Sequence, residues 1–163
     1  MSNRGGGPLA WSDLPRAEAF YRKVVKLRRQ RLEEVDPRTA IAMNRLGLVL
    51  DSRWNYDEAE TLCRRTMALR RKMLGDDHPD VAATMTDWAV VLQEEGKYSE
   101  AETLYRKARA YRISRFGEDG REAAIAYNGL GSLLEETGKY TEALSLNRRS
   151  LDIRKKVMGE RSV

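Results

Sequence analysis

One cysteine, Cys63, and one histidine, His78, are the chain's whole supply of the side chains most used for thiol nucleophiles and transition-metal sites. A lone cysteine closes no intrachain disulfide, and the two together cannot complete a zinc site or a Cys-His nucleophile pair. Metal and thiol chemistry are excluded by count, no cofactor is expected, and a reduced, cytoplasmic setting follows from cysteine usage. No apolar run approaches the ~18 residues a membrane span requires, which predicts a soluble chain. A Gly-rich phosphate loop is missing, and so are carboxylates paired with a buried base at fixed spacing, so no catalytic constellation is found. The opening MSNRGGGPLAW lacks the apolar stretch of a secretory signal and reads as a flexible lead-in over residues 1–12. Strand-period alternation is absent throughout.

What the chain has is repetition. YSEAETLYRKARAYRISRFG at 98–117 returns, shifted by 42, as YDEAETLCRRTMALRRKMLG at 56–75 and YTEALSLNRRSLDIRKKVMG at 140–159. A fixed period of this kind predicts stacked units, each touching its neighbours, rather than one central core. Three units follow at 38–79, 80–121 and 122–163. Residues 13–35 align on the second half of a unit whose first half is missing, with Ala17, Phe20, Val24 and Leu27 at helical spacing. Each full unit opens with a helix of about four turns, overlaid as 41–50, 82–92 and 125–134, so seven helices are expected. Asp36-Pro37 is read as the cap of the first of these. The second helices are given Asp57, Ser99 and Thr141 as N-caps, with Glu60 and Glu102 completing a capping box in the first two. Gly75, Gly117 and Gly159 are read as terminating the second helices. Small residues at Gly47, Ala89 and Gly131 and at Ala59, Ala101 and Ala143 mark where paired helices cross closely.

The spacing of Met43, Leu46-Gly47, Leu50 and Ala59, repeated at Tyr127, Leu130-Gly131, Leu134 and Ala143, resembles the tetratricopeptide repeat. The 42-residue period and the joint GDDHPDVA at 75–82 resemble its kinesin light chain-like variety. The likeness covers residues 14–163. It implies an all-α, right-handed α-α superhelix, a tetratricopeptide solenoid acting as a non-catalytic interaction scaffold, with first helices lining a concave peptide-binding groove. Carried over by residue, that groove takes Ile41, Asn44, Leu48 and Asp51 from the first unit. Thr86, Val90, Gln93 and Glu94 come from the second, and Asn128, Ser132 and Glu135 from the third. Asn44 and Asn128 match the family's peptide-holding asparagines, whose carboxamides can both donate to and accept from a backbone. His78 falls in the inter-repeat turn, as in the family pattern.

Charge decides between partners. The net charge is +5, yet the groove's lip is acidic, with Asp51, Glu94, Glu95, Glu135 and Glu136 in last turns where the helix dipole disfavours them. That suits a ligand with Lys or Arg. Arg22, Arg64 and Arg106 each follow a Glu by four residues, so much of the positive charge is answered locally, and RNA is the weakest of the partner readings. A sensor segment of a larger nucleotide-binding signalling protein is the alternative role. Both ends look cut, which predicts exposed apolar edges and either a longer array or end-to-end self-association.

Overall fold

The computed structural model describes residues 13–31 and 36–159. The lead-in over 1–12, residues 32–35 and residues 160–163 lie outside the described residues. Seven α-helices and no strand are found among the described residues. The chain divides into two compact units at Met73 and Leu74. The first holds α1 (Leu14–Arg31), α2 (Pro37–Ser52) and α3 (Tyr56–Leu74); the second holds α4 (Pro79–Glu94), α5 (Tyr98–Phe116), α6 (Arg121–Glu136) and α7 (Tyr140–Gly159).

Helix starts follow local chemistry. Asp36 caps α2, its carboxylate accepting from the Arg38 N–H at 2.7 Å, with Pro37 in the first turn where its missing N–H costs nothing. His78 does the same for α4, Nδ1 accepting from the Asp80 N–H at 3.1 Å. A neutral imidazole nitrogen is a fair substitute for the usual Asp or Ser oxygen. Gly120 occupies the matching position before α6 and offers no side chain.

The caps expected for the second helices are corrected. α3, α5 and α7 start at Tyr56, Tyr98 and Tyr140, so Asp57, Ser99 and Thr141 already lie inside the first turn. The backbone supplies the reason. Residues 54, 96 and 138 sit at positive φ, which turns the chain so that the N–H of residue 55, 97 or 139 bonds back to the carbonyl of Leu50, Leu92 or Leu134. The carbonyls of Asn55, Lys97 and Lys139 then accept the first bonds of the next helix, from Ala59, Ala101 and Ala143. One residue thus closes one helix and opens the next. Glu60 and Glu102, freed from capping, pair with cations instead.

At the first of these turns the left-handed residue is Trp54, with φ 66° and 75% of its surface exposed. A side chain there costs about 1–2 kcal/mol that glycine avoids. Trp54→Gly is therefore expected to raise the melting temperature by a few degrees. An unchanged or lower value would mean that the indole makes a stabilising contact.

Packing uses the small residues as expected. A Cβ on Gly47 would lie 3.8 Å from the Ala59 carbonyl and from the Leu62 Cβ, which sets the approach of α2 to α3. In the second unit Gly131 faces the Asn147 side chain. Ala59, Ala101 and Ala143 are fully or almost fully buried. The second unit's core runs from Ala89 and Leu92 through Tyr105, Leu130, Leu133 and Leu134 to Leu146 and Ile153, with Trp88 at its edge.

Candidate functional site

The residues assigned to the groove lie on single helical stripes. In the first unit Ile41 is exposed, and Asn44, Leu48 and Asp51 are half-buried along α2. In the second unit Thr86, Val90 and Glu94 are half-buried along α4, while Asn128, Ser132 and Glu135 are exposed along α6, which touches α4. Spacings of three and four residues keep each set on one face. The last turns of α2, α4 and α6, which carry Asp51, Glu94, Glu135 and Glu136, contain no basic residue. Glu95 pairs with Lys97 of the following turn at 2.8 Å.

Gln93 and Thr86, both assigned to the groove, are engaged within the fold. Gln93 is buried, its amide oxygen accepting from the Tyr105 hydroxyl at 3.1 Å, so it faces the interior rather than a ligand. The Thr86 hydroxyl donates to the Ala82 carbonyl at 3.2 Å and receives Arg112 at 3.4 Å. Arg112, only 7% exposed, also reaches Glu122 at the start of α6. One buried guanidinium thereby ties α4, α5 and α6 together. An Arg recurs at this register, at 70, 112 and 154, each time directly after Leu, Tyr or Ile.

The larger omission concerns the second helices. Arg22 donates to Glu18 on its own helix at 2.7 Å and to both oxygens of Glu58 on α3 at 2.5 and 2.6 Å. Arg53 joins Glu18, and the Asn55 amide reaches Glu58 at 3.0 Å. The second unit repeats the arrangement, with Arg106 on Glu102 at 2.9 Å and on both oxygens of Glu142 at 3.0 and 3.1 Å, and Lys139 on Glu102 at 2.7 Å. These are not solitary i,i+4 pairs but braces between successive second helices. The signal was present as an Arg-to-Glu spacing of 36 residues, recurring at 22/58, 64/100 and 106/142.

The braces hold carboxylates ionised. Arg22 keeps Glu58 below the ordinary 4.5, Lys139 and then Arg106 do so for Glu102, and Arg106 does so for Glu142. Arg38 lowers Asp36 to about 2. A group whose folded value is depressed stabilises the fold fully above its unfolded value and loses that contribution as pH falls through the folded one. Thermal stability should therefore be flat down to about pH 4.5 and decline between there and about pH 2. A melting temperature at pH 3 equal to that at pH 7 would show that the braces contribute nothing, as many exposed pairs do.

Among the described residues no group of three or more His, Cys, Asp or Glu is placed to hold a metal ion, and no helix is long and apolar enough to cross a membrane. Cys63 is buried and forms no disulfide.

A tetratricopeptide repeat profile matches residues 80–156, and a second profile of that description matches residues 39–80. The chain belongs to the tetratricopeptide repeat family. No curated protein matches the chain. Its repeats are similar in fold to the nearly identical TPR-like repeats of a candidate kinesin light chain from Podosopora anserina, with a TM-score of 0.78 at 19% identity over 90% of this chain and 69% of that one. They are similar also to BtubC (BKLC) from P. vanneervenii, with a TM-score of 0.81 at 18% identity over 91% of this chain and 59% of that one. The tetratricopeptide fold is an interaction scaffold, which is the role the repeats carry here at the level of fold.

Proposed function

We propose that this tetratricopeptide chain is a non-catalytic, cytoplasmic scaffold that captures a Lys- or Arg-bearing peptide along the stripes of its first helices. The observation that carries the reading is the division of charge. Arg22 and Arg106 on second helices are each engaged by a carboxylate of the next second helix in their unit, whereas the first helices end in acids without a basic residue in their last turns. Asn44 and Asn128 would hold the peptide backbone, with Thr86, Val90 and Ser132 as adjoining contacts. Asp51, Glu94 and Glu135 would meet its cations. Nucleic acid fits less well, because the first helices end in acids, which repel a phosphate backbone.

The test is binding of fluorescent Lys/Arg-rich peptides, followed by anisotropy, to the wild type and to the double variant Asn44→Ala, Asn128→Ala. Loss of binding at unchanged helicity is expected. Intact binding by the double variant would remove the groove from the mechanism, and binding of acidic peptides in preference to basic ones would remove the charge reading.

A second reading, that copies of the chain associate with one another, is favoured by Tyr140, Leu144 and Leu151, all exposed on α7.

A further inference from the structure

Trp54 breaks a rule that the two matching turns keep. Gly96 and Gly138 take the left-handed conformation without a side-chain clash, whereas the first turn holds it with a tryptophan at φ 66°. The indole gives nothing back to the core. It is 75% exposed, more than any other large apolar side chain among the described residues, and it makes no hydrogen bond or ring contact with any of them. A strained residue that contributes no packing points to a role outside the fold. The charges around it narrow that role. Arg53, the one cation of the turn, pairs with Glu18, and the residue after Trp54 is Asn55, where the other two turns have Lys97 and Lys139. Carboxylates stand on both sides. The Trp54 N–H bonds at 2.9 Å to the carbonyl of Asp51, and Asp57, exposed three residues on, makes no ion pair with any described residue.

We infer that the Trp54 indole is the stacking platform for a lysine or arginine side chain of the bound peptide. The inference rests on the basic-peptide reading above and names the residue that selects the cation. Trp54 stands three residues past Asp51, where the stripe of Ile41, Asn44, Leu48 and Asp51 on α2 ends. An indole face attracts a cation through its ring quadrupole, more strongly than phenylalanine or tyrosine does, and a cation seated there has carboxylates on the same turn. Other ligand groups fit worse. A purely apolar side chain would find one ring among Ser52, Arg53, Asn55 and Asp57, with no apolar wall around it. An acidic side chain would meet Asp51 and Asp57 as like charges.

Anisotropy titrations of a fluorescent Lys/Arg-rich peptide with the 163-residue chain test this. Trp54→Gly should weaken binding about threefold to thirtyfold while raising the melting temperature, so that affinity and stability move in opposite directions. Trp54→Leu, apolar but without a ring face, should lose as much affinity as Trp54→Gly, and Trp54→Phe should lose less than either. Acrylamide quenching of the tryptophan emission should fall when the peptide is added to the wild type, with no such fall in Trp54→Gly. A wild type that binds no basic peptide overturns the groove reading and this inference with it. Binding that is lost in the Asn44→Ala, Asn128→Ala variant but kept at full affinity in Trp54→Gly leaves the groove reading standing and overturns the platform. Full affinity in Trp54→Leu would make the contact merely apolar and overturn the selection of a cation.

Discussion

Ala101→Trp is expected to lower the melting temperature of the second unit by roughly 10 °C or more, through an overpacking cost of about 1–3 kcal/mol or above. Ala101 has no exposed surface and lies in the first turn of α5, its N–H bonded to the Lys97 carbonyl at 3.0 Å. It belongs to one buried cluster with Ala89, Leu92 and Tyr105, so an indole can be admitted only by parting α4 from α5. Since α5 also packs on α6, that parting spreads to the next hairpin, as expected of a stack held by nearest-neighbour contacts. Thermal unfolding followed by circular dichroism decides the matter. An unaltered transition would mean that the helices do not cross at residue 101.

Two glycine-to-alanine changes are expected to act with opposite signs. A Cβ on Gly129 would stand 2.8 Å from Cε1 of Tyr105 and 3.2 Å from Cδ1, and this ring cannot easily retreat because its hydroxyl is tied to buried Gln93. Gly129→Ala should cost about 1–3 kcal/mol. At Gly47 every neighbour of the added methyl lies at 3.8 Å or beyond, so Gly47→Ala should gain the ordinary helix preference of alanine, about 0.5–1 kcal/mol. Chemical denaturation of the two variants beside the wild type measures both. Equal effects of either sign would show that the pairing of Tyr105 with Gly129 does not govern the contact between α5 and α6.

The fold was legible because the repeat states each requirement three times. Ala59, Ala101 and Ala143 at one register, with Leu50, Leu92 and Leu134 at another, are recurrences that tolerate no reading but packing, and all six are buried. The capping of α3, α5 and α7 was misread because Asp57, Ser99 and Thr141 resemble caps locally. The deciding fact, a left-handed residue one step before the joint, is a backbone property that Trp54 conceals. Arg106 was legible as a partner of Glu102 but not of Glu142. Contacts four residues apart follow from the helix alone, whereas contacts thirty-six apart follow from how hairpins stack. Gln93 and Thr86 show the same limit at the candidate site. Register places them on a stripe, and only the positions of Tyr105 and Arg112 reveal that their polar atoms serve the interior.

Because Asn55, Lys97 and Lys139 each end one helix and begin the next, these joints contain no slack. An inserted residue could not bulge outward. It would have to be wound into α3, α5 or α7, turning every later side chain by about 100° and carrying buried alanines round to the solvent. Variation in the length of this repeat must therefore be confined to the other joints, between Leu74 and Pro79 and between Phe116 and Arg121, where several residues separate the helices. A 42-residue period that is longer or shorter in some copy should differ there and nowhere else.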